Sequence, residues 1–469
     1  MAITMKSFLR LPIAVLAGLL FWGGFAPIEV GFLPIIGGAL LFYLLAEKPF
    51  SERILTSCLV GIAFFLPLLH WSSTYVGATP WLILATGEAL LFALISLIPL
   101  QRNITGAISF AGVFLVVELF RMKFPFGGFG WGRIGFTQID ALNYLYPWLG
   151  VAGITFFSLL VSALLVLKKA RYFIGIFLVF TVNQIIPNSY AGVEGFNISA
   201  VQGGVTNLGL DFNSRALEVL QRHIDASKIP KDTDLILWPE NSVDVDPTVN
   251  KVAQEKLMRF IRENSANLLT GTVEKSNLGP KNSSVLYNPD GSIASRYVKQ
   301  DLAPFGEYIP LRFLAEKISG YAQAVNDFVP GDRWNPIKLA DRSFQSFICF
   351  EVLDDDHVRA GARDMDFLIA QTNNATFGAS SQAAQQLQIT RARSAELKKE
   401  IAVVSTTGFT VHLDQNGDQI AALKQFEPGT LDMKMSSNPN NTLASSLGSG
   451  FWAALGGLFM LAGLLGNRR

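Results

Sequence analysis

Two patterns of apolar and polar positions divide the chain. Residues 1 to about 190 are dominated by long apolar runs, near 9–28, 30–47, 54–75, 81–100, 104–120, 145–167 and 172–187, and an eighth run occupies 446–465. A membrane-crossing helix needs about 20 apolar residues. The runs therefore predict eight spans, seven before a segment of ordinary soluble composition and one after it. Within that segment short apolar stretches alternate with amphipathic ones. Stretches 196–202, 234–238, 267–273, 285–287, 293–298, 344–350, 367–371, 401–405 and 411–413 read as strands, and 214–227, 250–263 and 380–399 as helices. Asn288-Pro289-Asp290-Gly291 and Asn416-Gly417 are hairpin turns. Strands alternating with helices, plus hairpins, give a layered α/β domain. The expected organisation is a seven-helix membrane domain over 1–192, an α/β domain over 193–440, and a last span with a short tail over 441–469.

Charge gives the orientation. The chain has 469 residues, 50% hydrophobic and 16% charged, with net charge +1. Near-neutrality, without a basic cluster or zinc-type spacing, argues against a nucleic-acid binder. Lys6 and Arg10, Lys48 and Arg53, Arg102, the group Lys168, Lys169 and Arg171, and Arg468 with Arg469 all fall on one side of the predicted spans. The positive-inside rule makes that side cytoplasmic, so the α/β segment is expected outside. The basic start of the first run suits a signal peptide. Further spans follow at once without an Ala-x-Ala site, so it reads as a retained span. The loop from Arg121 through Trp131 to Arg133 departs from the pattern, with cations among aromatics and glycines. It reads either as a contact for lipid headgroups and acyl chains or as an ordinary aromatic belt. Glu88 and Glu118 lie in or near spans, where carboxylates are costly; Glu118 has Arg121 three residues on as a potential partner.

Cys349 is the only cysteine of the soluble segment, since Cys58 lies in an apolar run as a packing residue. An exported domain with one cysteine forms no internal disulfide, so the thiol is either an apolar filler or a nucleophile. Glu240 follows Pro239, which forces the chain out of strand 234–238. Lys299 closes strand 293–298, and Cys349 is expected at the end of strand 344–350. Each has a bland reading: a turn glutamate, a surface lysine, a buried small residue. Together they supply a base, a cation and a sulfur at strand ends, where sites assemble.

The order Trp238-Pro239-Glu240, then Tyr297-Val298-Lys299-Gln300-Asp301-Leu302-Ala303-Pro304-Phe305-Gly306-Glu307-Tyr308-Ile309-Pro310, then Ile348-Cys349-Phe350-Glu351 resembles the nitrilase, or carbon-nitrogen hydrolase, superfamily. More closely it resembles that superfamily's membrane-embedded branch, the apolipoprotein N-acyltransferase family. Asn373-Asn374-Ala375-Thr376-Phe377-Gly378, Arg391-Ala392-Arg393-Ser394-Ala395-Glu396 and the plan of spans extend the likeness over nearly the whole chain. The resemblance implies an αββα sandwich and a ping-pong transfer of an acyl chain from membrane phospholipid to the N-terminal amine of a diacylglyceryl-modified apolipoprotein. It implies the catalytic set Glu240, Lys299 and Cys349, with Glu307 and Glu351 supporting. Trp238, Phe350, Asn374, Phe377, Arg121, Trp131 and Phe313 are candidate contacts for lipid or substrate. Phe350 and Phe377 stand where many relatives carry other aromatics, which bears on acyl-chain preference rather than on the chemistry. Neither metal nor cofactor is expected, and the expected setting is a monomer in the bacterial plasma membrane. Residues 311–328, with Phe313 and Leu314, read either as a lid dipping into the interface or as a core-packed helix. Two alternatives stand beside the transferase: a membrane-tethered amidase that passes its acyl group to water, and a transporter or scaffold whose exported domain only binds ligand.

Overall fold

The computed structural model describes residues 9–75, 77–168, 175, 181, 193–205, 207–209, 216–318, 323 and 326–466. The run 172–187, apart from two isolated positions, lies outside the described residues. So do Lys6, Lys169, Arg171, Arg468 and Arg469, the start of the helix expected from 214, and parts of 319–325. The chain divides into two compact units, Met1–Asn188 with Thr442–Arg469, and Ser189–Asn441.

The first unit is helical. Among the described residues five helical stretches are long and apolar enough to cross a membrane: Phe50–Leu68, Ala78–Leu97, Ile104–Lys123, Ile134–Leu167 and Leu443–Leu465. The first two expected spans are shorter. Helix Arg10–Trp22 has 13 residues and Phe32–Leu45 has 14, so each rises about 20 Å against a hydrocarbon core of about 30 Å. The apolar run continues past the first helix, but the backbone does not stay helical. A Cβ at Gly24 would lie 2.3 Å from the Pro34 ring, so the chain turns there in close contact with the start of the next helix.

The loop from Arg121 to Arg133 differs from its expected role. Arg121 is buried and paired with Glu88 through Nη2 at 2.5 Å, over the ring of Phe65 at 4.4 Å. Glu118 takes Arg133 instead, at 3.5 Å, and accepts from the Ile134 N–H and the Thr155 hydroxyl, each at 2.8 Å. The expected Glu118–Arg121 pair is thus replaced by two crossed pairs. On a helix an i, i+3 neighbour loses to a partner from another element when the site is buried and both charges need several hydrogen bonds. Trp131 is buried too, stacked on Phe129 and against Trp71. Arg121 and Trp131 are therefore interior packing and pairing groups, not open lipid contacts.

The second unit holds twelve strands among its described residues: β1 (Val193–Gln202), β2 (Leu235–Leu237), β3 (Asn267–Glu274), β4 (Lys281–Tyr287), β5 (Ile293–Val298), β6 (Ile337–Leu339), β7 (Arg342–Ile348), β8 (Phe367–Thr372), β9 (Ile401–Ser405), β10 (Val411–Leu413), β11 (Gln419–Ala422) and β12 (Gly429–Ser437). They form two six-stranded sheets, ordered β12-β1-β2-β3-β4-β5 and β11-β10-β9-β8-β7-β6. Inner faces meet through Phe196, Ile198, Leu235, Leu237 and Leu269 from one sheet, and Phe344, Phe367, Ile369, Ala402 and Val404 from the other. The opposite face of the first sheet is covered by helices Glu218–Ala226 and Lys251–Asn264 through Leu220, Leu257, Phe260 and Ile261. Asn250 caps the second of these, its side chain accepting from the Ala253 N–H.

Period-two alternation decides the fate of Trp238. Leu235 and Leu237 point between the sheets, so Ile236 and Trp238 point outward under the helices. Trp238 is fully buried against Phe260 and His223. It is a core residue, not the substrate contact expected. Strands β6 and β12 were not expected; β12 runs antiparallel beside β1 from Val193↔Ser437 to Gln202↔Gly429. Its alternation of Leu431, Met433 and Met435 with Asp432 and Lys434 is a legible strand signal.

Candidate active site

Three strand ends and one helix bring the polar groups together. After β2 the chain turns at Pro239, and Glu240 lies over β3 at Gly271, where a Cβ would come within 2.5 Å of the Glu240 Cα. Glycine there is what lets the two backbones approach. Lys299 directly follows β5. The hairpin from β4 sets it across from Asn282, whose carbonyl accepts the Lys299 N–H at 2.9 Å. Strand β7 ends at Ile348, two residues earlier than expected. Cys349 opens a tight turn, Cys349–Leu353, with φ +53. A non-glycine residue in this left-handed region is strained by roughly 1–3 kcal/mol. The strain is held by Glu351, whose Oε2 accepts the Ile348 N–H at 2.7 Å.

The carboxylates and the ammonium form one buried cluster. Lys299 Nζ lies 2.7 Å from Glu307 Oε2 and 3.7 Å from Glu240 Oε1. The Asn282 side-chain amide donates to both glutamates, at 2.7 Å to Glu240 and 2.8 Å to Glu307. Glu240 Oε2 accepts from the Asn373 N–H at 2.8 Å, and Glu307 Oε2 from the Ala303 N–H at 2.8 Å. Burial opposes the charge of Lys299, yet Glu307 first and Glu240 second overcome it, so its pKa stands above the ordinary lysine value. Glu240 is raised: burial dominates, and repulsion from Glu307 adds to it against the pull of Lys299. The thiol of Cys349 is raised by burial and then by Glu240, while Lys299 and Gln386 act the other way. Burial and the glutamate charges thus favour the protonated thiol, while the same glutamates favour the charged ammonium.

Behind the cluster sits a second one. Glu351 is fully buried. Its Oε1 accepts from the Tyr297 hydroxyl at 2.7 Å and the Gln300 N–H at 2.8 Å. Its two oxygens therefore tie the segment carrying Lys299 to the turn carrying Cys349. His357 reaches it with Nε2 at 3.3 Å and reaches Asp301 with Nδ1 at 3.2 Å, its ring against Trp334 at 4.2 Å. Burial works against the Glu351 charge, but His357 and the backbone donors hold its pKa below the usual carboxylate value. Between the sheets Gln371 accepts from Ser284 at 2.6 Å and Ser346 at 2.7 Å, and donates to the Trp238 carbonyl at 2.7 Å.

Of the other expected contacts, Phe350 and Phe377 are half-buried, and Asn374 is buried in a hydrogen-bonded set. Phe313 is 70% exposed on helix Arg312–Ile318, with Leu314 and Leu311 also exposed, so this helix is not packed into a core. Asn282, Gly271, Gln386 and His357 escaped the sequence reading. Asn282 had a signal: counting back along the hairpin from the Asn288–Gly291 turn sets it opposite Lys299. The others are brought in by tertiary packing.

Two stacked sheets, the first covered by helices, thus hold an ammonium and carboxylates in one buried cluster at adjoining strand ends, with a half-buried thiol on the turn after β7. The carbon-nitrogen hydrolase family model matches residues 197–438, and the chain belongs to that family. Residues 17–164 match the apolipoprotein N-acyltransferase N-terminal domain. Apolipoprotein N-acyltransferase of Mycolicibacterium smegmatis is 28% identical over 97% of this chain and 85% of its own length. That of Haemophilus influenzae is 28% identical over 97% and 95%. Among solved structures, an amidase of the nitrilase superfamily from Nesterenkonia is 17% identical, with TM-score 0.40 over 54% of this chain and 94% of its own.

Proposed function

We propose that the protein is an N-acyltransferase that moves an acyl chain from a membrane phospholipid to the N-terminal amine of the diacylglyceryl-cysteine of apolipoproteins, through a thioester on Cys349. The observation that carries this reading is the buried cluster of Glu240, Lys299 and Glu307, with Cys349 on a strained turn that Glu351 ties to the segment carrying Lys299. The likeness to named apolipoprotein N-acyltransferases over both units supports the substrate class.

In the first half-reaction Glu240 takes the thiol proton as the sulfur adds to the ester carbonyl carbon. Lys299 faces the oxyanion that develops. When the bond to the glycerol oxygen breaks, the proton held by Glu240 passes to that oxygen. In the second half the amine nitrogen adds to the thioester carbonyl and gives a proton to Glu240; the carbon–sulfur bond breaks to release the amide, and Glu240 returns the proton to the leaving sulfur, restoring the thiol. Glu307 keeps Lys299 charged, and Glu351 keeps the Cys349 turn and the Lys299 segment in register. The side chains of Phe350, Phe377 and Phe313 are the apolar surfaces we assign to acyl chains. We further read the chain as eight spans in the bacterial plasma membrane with the catalytic unit on the extracytoplasmic side, following the distribution of Lys and Arg, and as active in monomeric form.

Mass spectrometry of the purified protein after exposure to phospholipid tests this. The expected product is an acyl adduct on Cys349 that hydroxylamine removes and that a diacylglyceryl-cysteine peptide discharges as its amide. An adduct that water discharges equally fast with or without the peptide would favour the tethered amidase. Full transfer by Cys349→Ser would end the thioester reading.

A further inference from the structure

The sulfur of Cys349 has one more polar neighbour. Gln386, on helix Gln382–Leu397, directs its side-chain Nε2 to Cys349 Sγ at 3.7 Å. An amide can present either end, so what matters is which end is fixed. Gln386 Oε1 accepts from Asn374 Nδ2 at 2.8 Å and from Gln382 Nε2 at 3.3 Å. With the oxygen occupied by donors, the N–H end is left facing the sulfur.

Asn374 is itself oriented. Its Oδ1 accepts from the Thr372 hydroxyl at 2.9 Å and the Ser405 hydroxyl at 2.8 Å. The Ser405 oxygen already accepts from the Gly408 N–H at 2.9 Å, which leaves its proton for Asn374. Gly408 must stay small: a Cβ there would fall 2.2 Å from Asn374 Oδ1. Hydroxyl to amide to amide to sulfur, every link has its direction set, and none of the hydroxyl and amide groups leading to the sulfur titrates. All of Asn374, Gln386 and Ser405 are buried.

We infer that Gln386 is a further catalytic residue, donating an uncharged hydrogen bond to the Cys349 sulfur as it becomes a thiolate, and that Asn374 is the positioning residue that fixes this donor. The inference rests on Cys349 being the nucleophile. It adds to that reading a donor whose strength does not change with pH, unlike the charged groups acting on the same sulfur, Glu240, Lys299 and Glu307. A hydrogen bond to a charged acceptor is worth about 1.5–3 kcal/mol, so its loss lowers thiolate population by about tenfold or more.

The test reads the sulfur directly, apart from lipid transfer. Purified full-length protein is treated with iodoacetamide over a pH series and the Cys349 peptide quantified, with Cys58 as internal control. In this reaction sulfur displaces iodide, a carbon–sulfur bond forms and the thiol proton goes to buffer. Gln386→Ala is expected to slow alkylation of Cys349 by about tenfold at neutral pH and move its midpoint to higher pH. Asn374→Asp is expected to do more than this. A carboxylate accepts only, so Gln386 turns its N–H toward it and presents its carbonyl oxygen to the sulfur. Gly408→Ala is expected to act in the same direction through Asn374. If Asn374→Asp lowers thermal stability yet leaves the alkylation midpoint where it was, the relay is overturned. The same holds if Gln386→Ala alkylates like the wild type. A shifted midpoint in a protein that forms no acyl adduct would uphold the sulfur–amide link while rejecting the transferase reading.

Discussion

Both units bury carboxylates with cations, and they do it in opposite ways. In the helical unit Glu88 pairs with Arg121 and Glu118 with Arg133, two guanidinium groups for two carboxylates. The backbone N–H of Ile134 and the hydroxyl of Thr155 supply further bonds to Glu118. In the sandwich one ammonium, Lys299, serves two carboxylates, with a thiol beside them. The first arrangement is closed: arginine keeps its charge and its fork geometry leaves nothing to move. The second holds one carboxylate more than its cation neutralises, so a proton on Glu240 or on Cys349 is always close to changing hands. Matched pairs hold a structure, whereas a mismatched set is poised for chemistry.

The sharpest way to break this comparison is to remove the cation on each side. Lys299→Ala is expected to lower acyl transfer by about 10²–10³-fold, the usual consequence of losing one donor to a developing oxyanion. Lys299→Arg should fail to restore it, because the planar fork does not fit a site built around Nζ. Steady-state transfer to a diacylglyceryl peptide checks both, and wild-type rates in either variant would refute the role. On the other side, Arg121→Ala leaves Glu88 buried without its partner and should destabilise the helical unit by about 3–5 kcal/mol. Replacing both members, Glu88→Leu with Arg121→Met, should recover most of that stability in a detergent melt and retain transfer. A double replacement that melts as early as Arg121→Ala would show that the pair does more than close a charge.

How much of this was legible in the sequence differs by unit. In the sandwich, short apolar strands and two hairpin turns sufficed for the layered α/β class, and strand ends located Glu240 and Lys299 closely. Cys349 was expected within the end of strand 344–350 but lies just past it, because its left-handed turn leaves no trace in the apolar pattern. Trp238 was misread because a motif draws attention to all its members, whereas alternation sends alternate ones to opposite faces. In the helical unit, hydropathy located the runs but overstated the first two helices, since apolar residues continue through a glycine turn. The cross-pairing of Arg121 and Arg133 was hidden, because partners 15 and 33 positions apart carry no local period.

A finer cut through the mismatched set is Glu307→Gln. Glu307 raises the proton affinity of both Glu240 and Cys349. Neutralising it should lower both, so the acid limb of the rate profile, set by ionisation of Glu240, should move to lower pH. Lys299 loses its nearest carboxylate at the same time, and the maximal rate is expected to fall by roughly tenfold. Transfer rate against pH for the two proteins checks the sign. An acid limb that moves upward, or not at all, would mean that Glu307 does not act on Glu240 through charge.

The smallest effect expected concerns His357, which joins the closed kind of pairing to the poised site. Burial works against its charge, but Glu351, Asp301 and Asp354 prevail and raise its pKa above the ordinary histidine value. Tyr297 stands 3.4 Å from Nε2 as well. A group whose pKa is raised on folding contributes stability that is fully present below its unfolded value, about 6.5. That contribution is lost as pH rises through the folded value. His357→Gln keeps the size and hydrogen-bonding capacity but not the charge. The wild type should therefore exceed the variant in stability in mildly acidic solution, and the gap should close toward alkaline pH. Because Glu351 ties the Cys349 turn to the Lys299 segment, the variant should also lose a few-fold in maximal rate, with little change in the apparent affinity for the acceptor peptide. Thermal melts of both proteins across pH give the first result and steady-state kinetics the second. A gap that widens with rising pH would reverse the assigned sign and place a neutral histidine in that cluster.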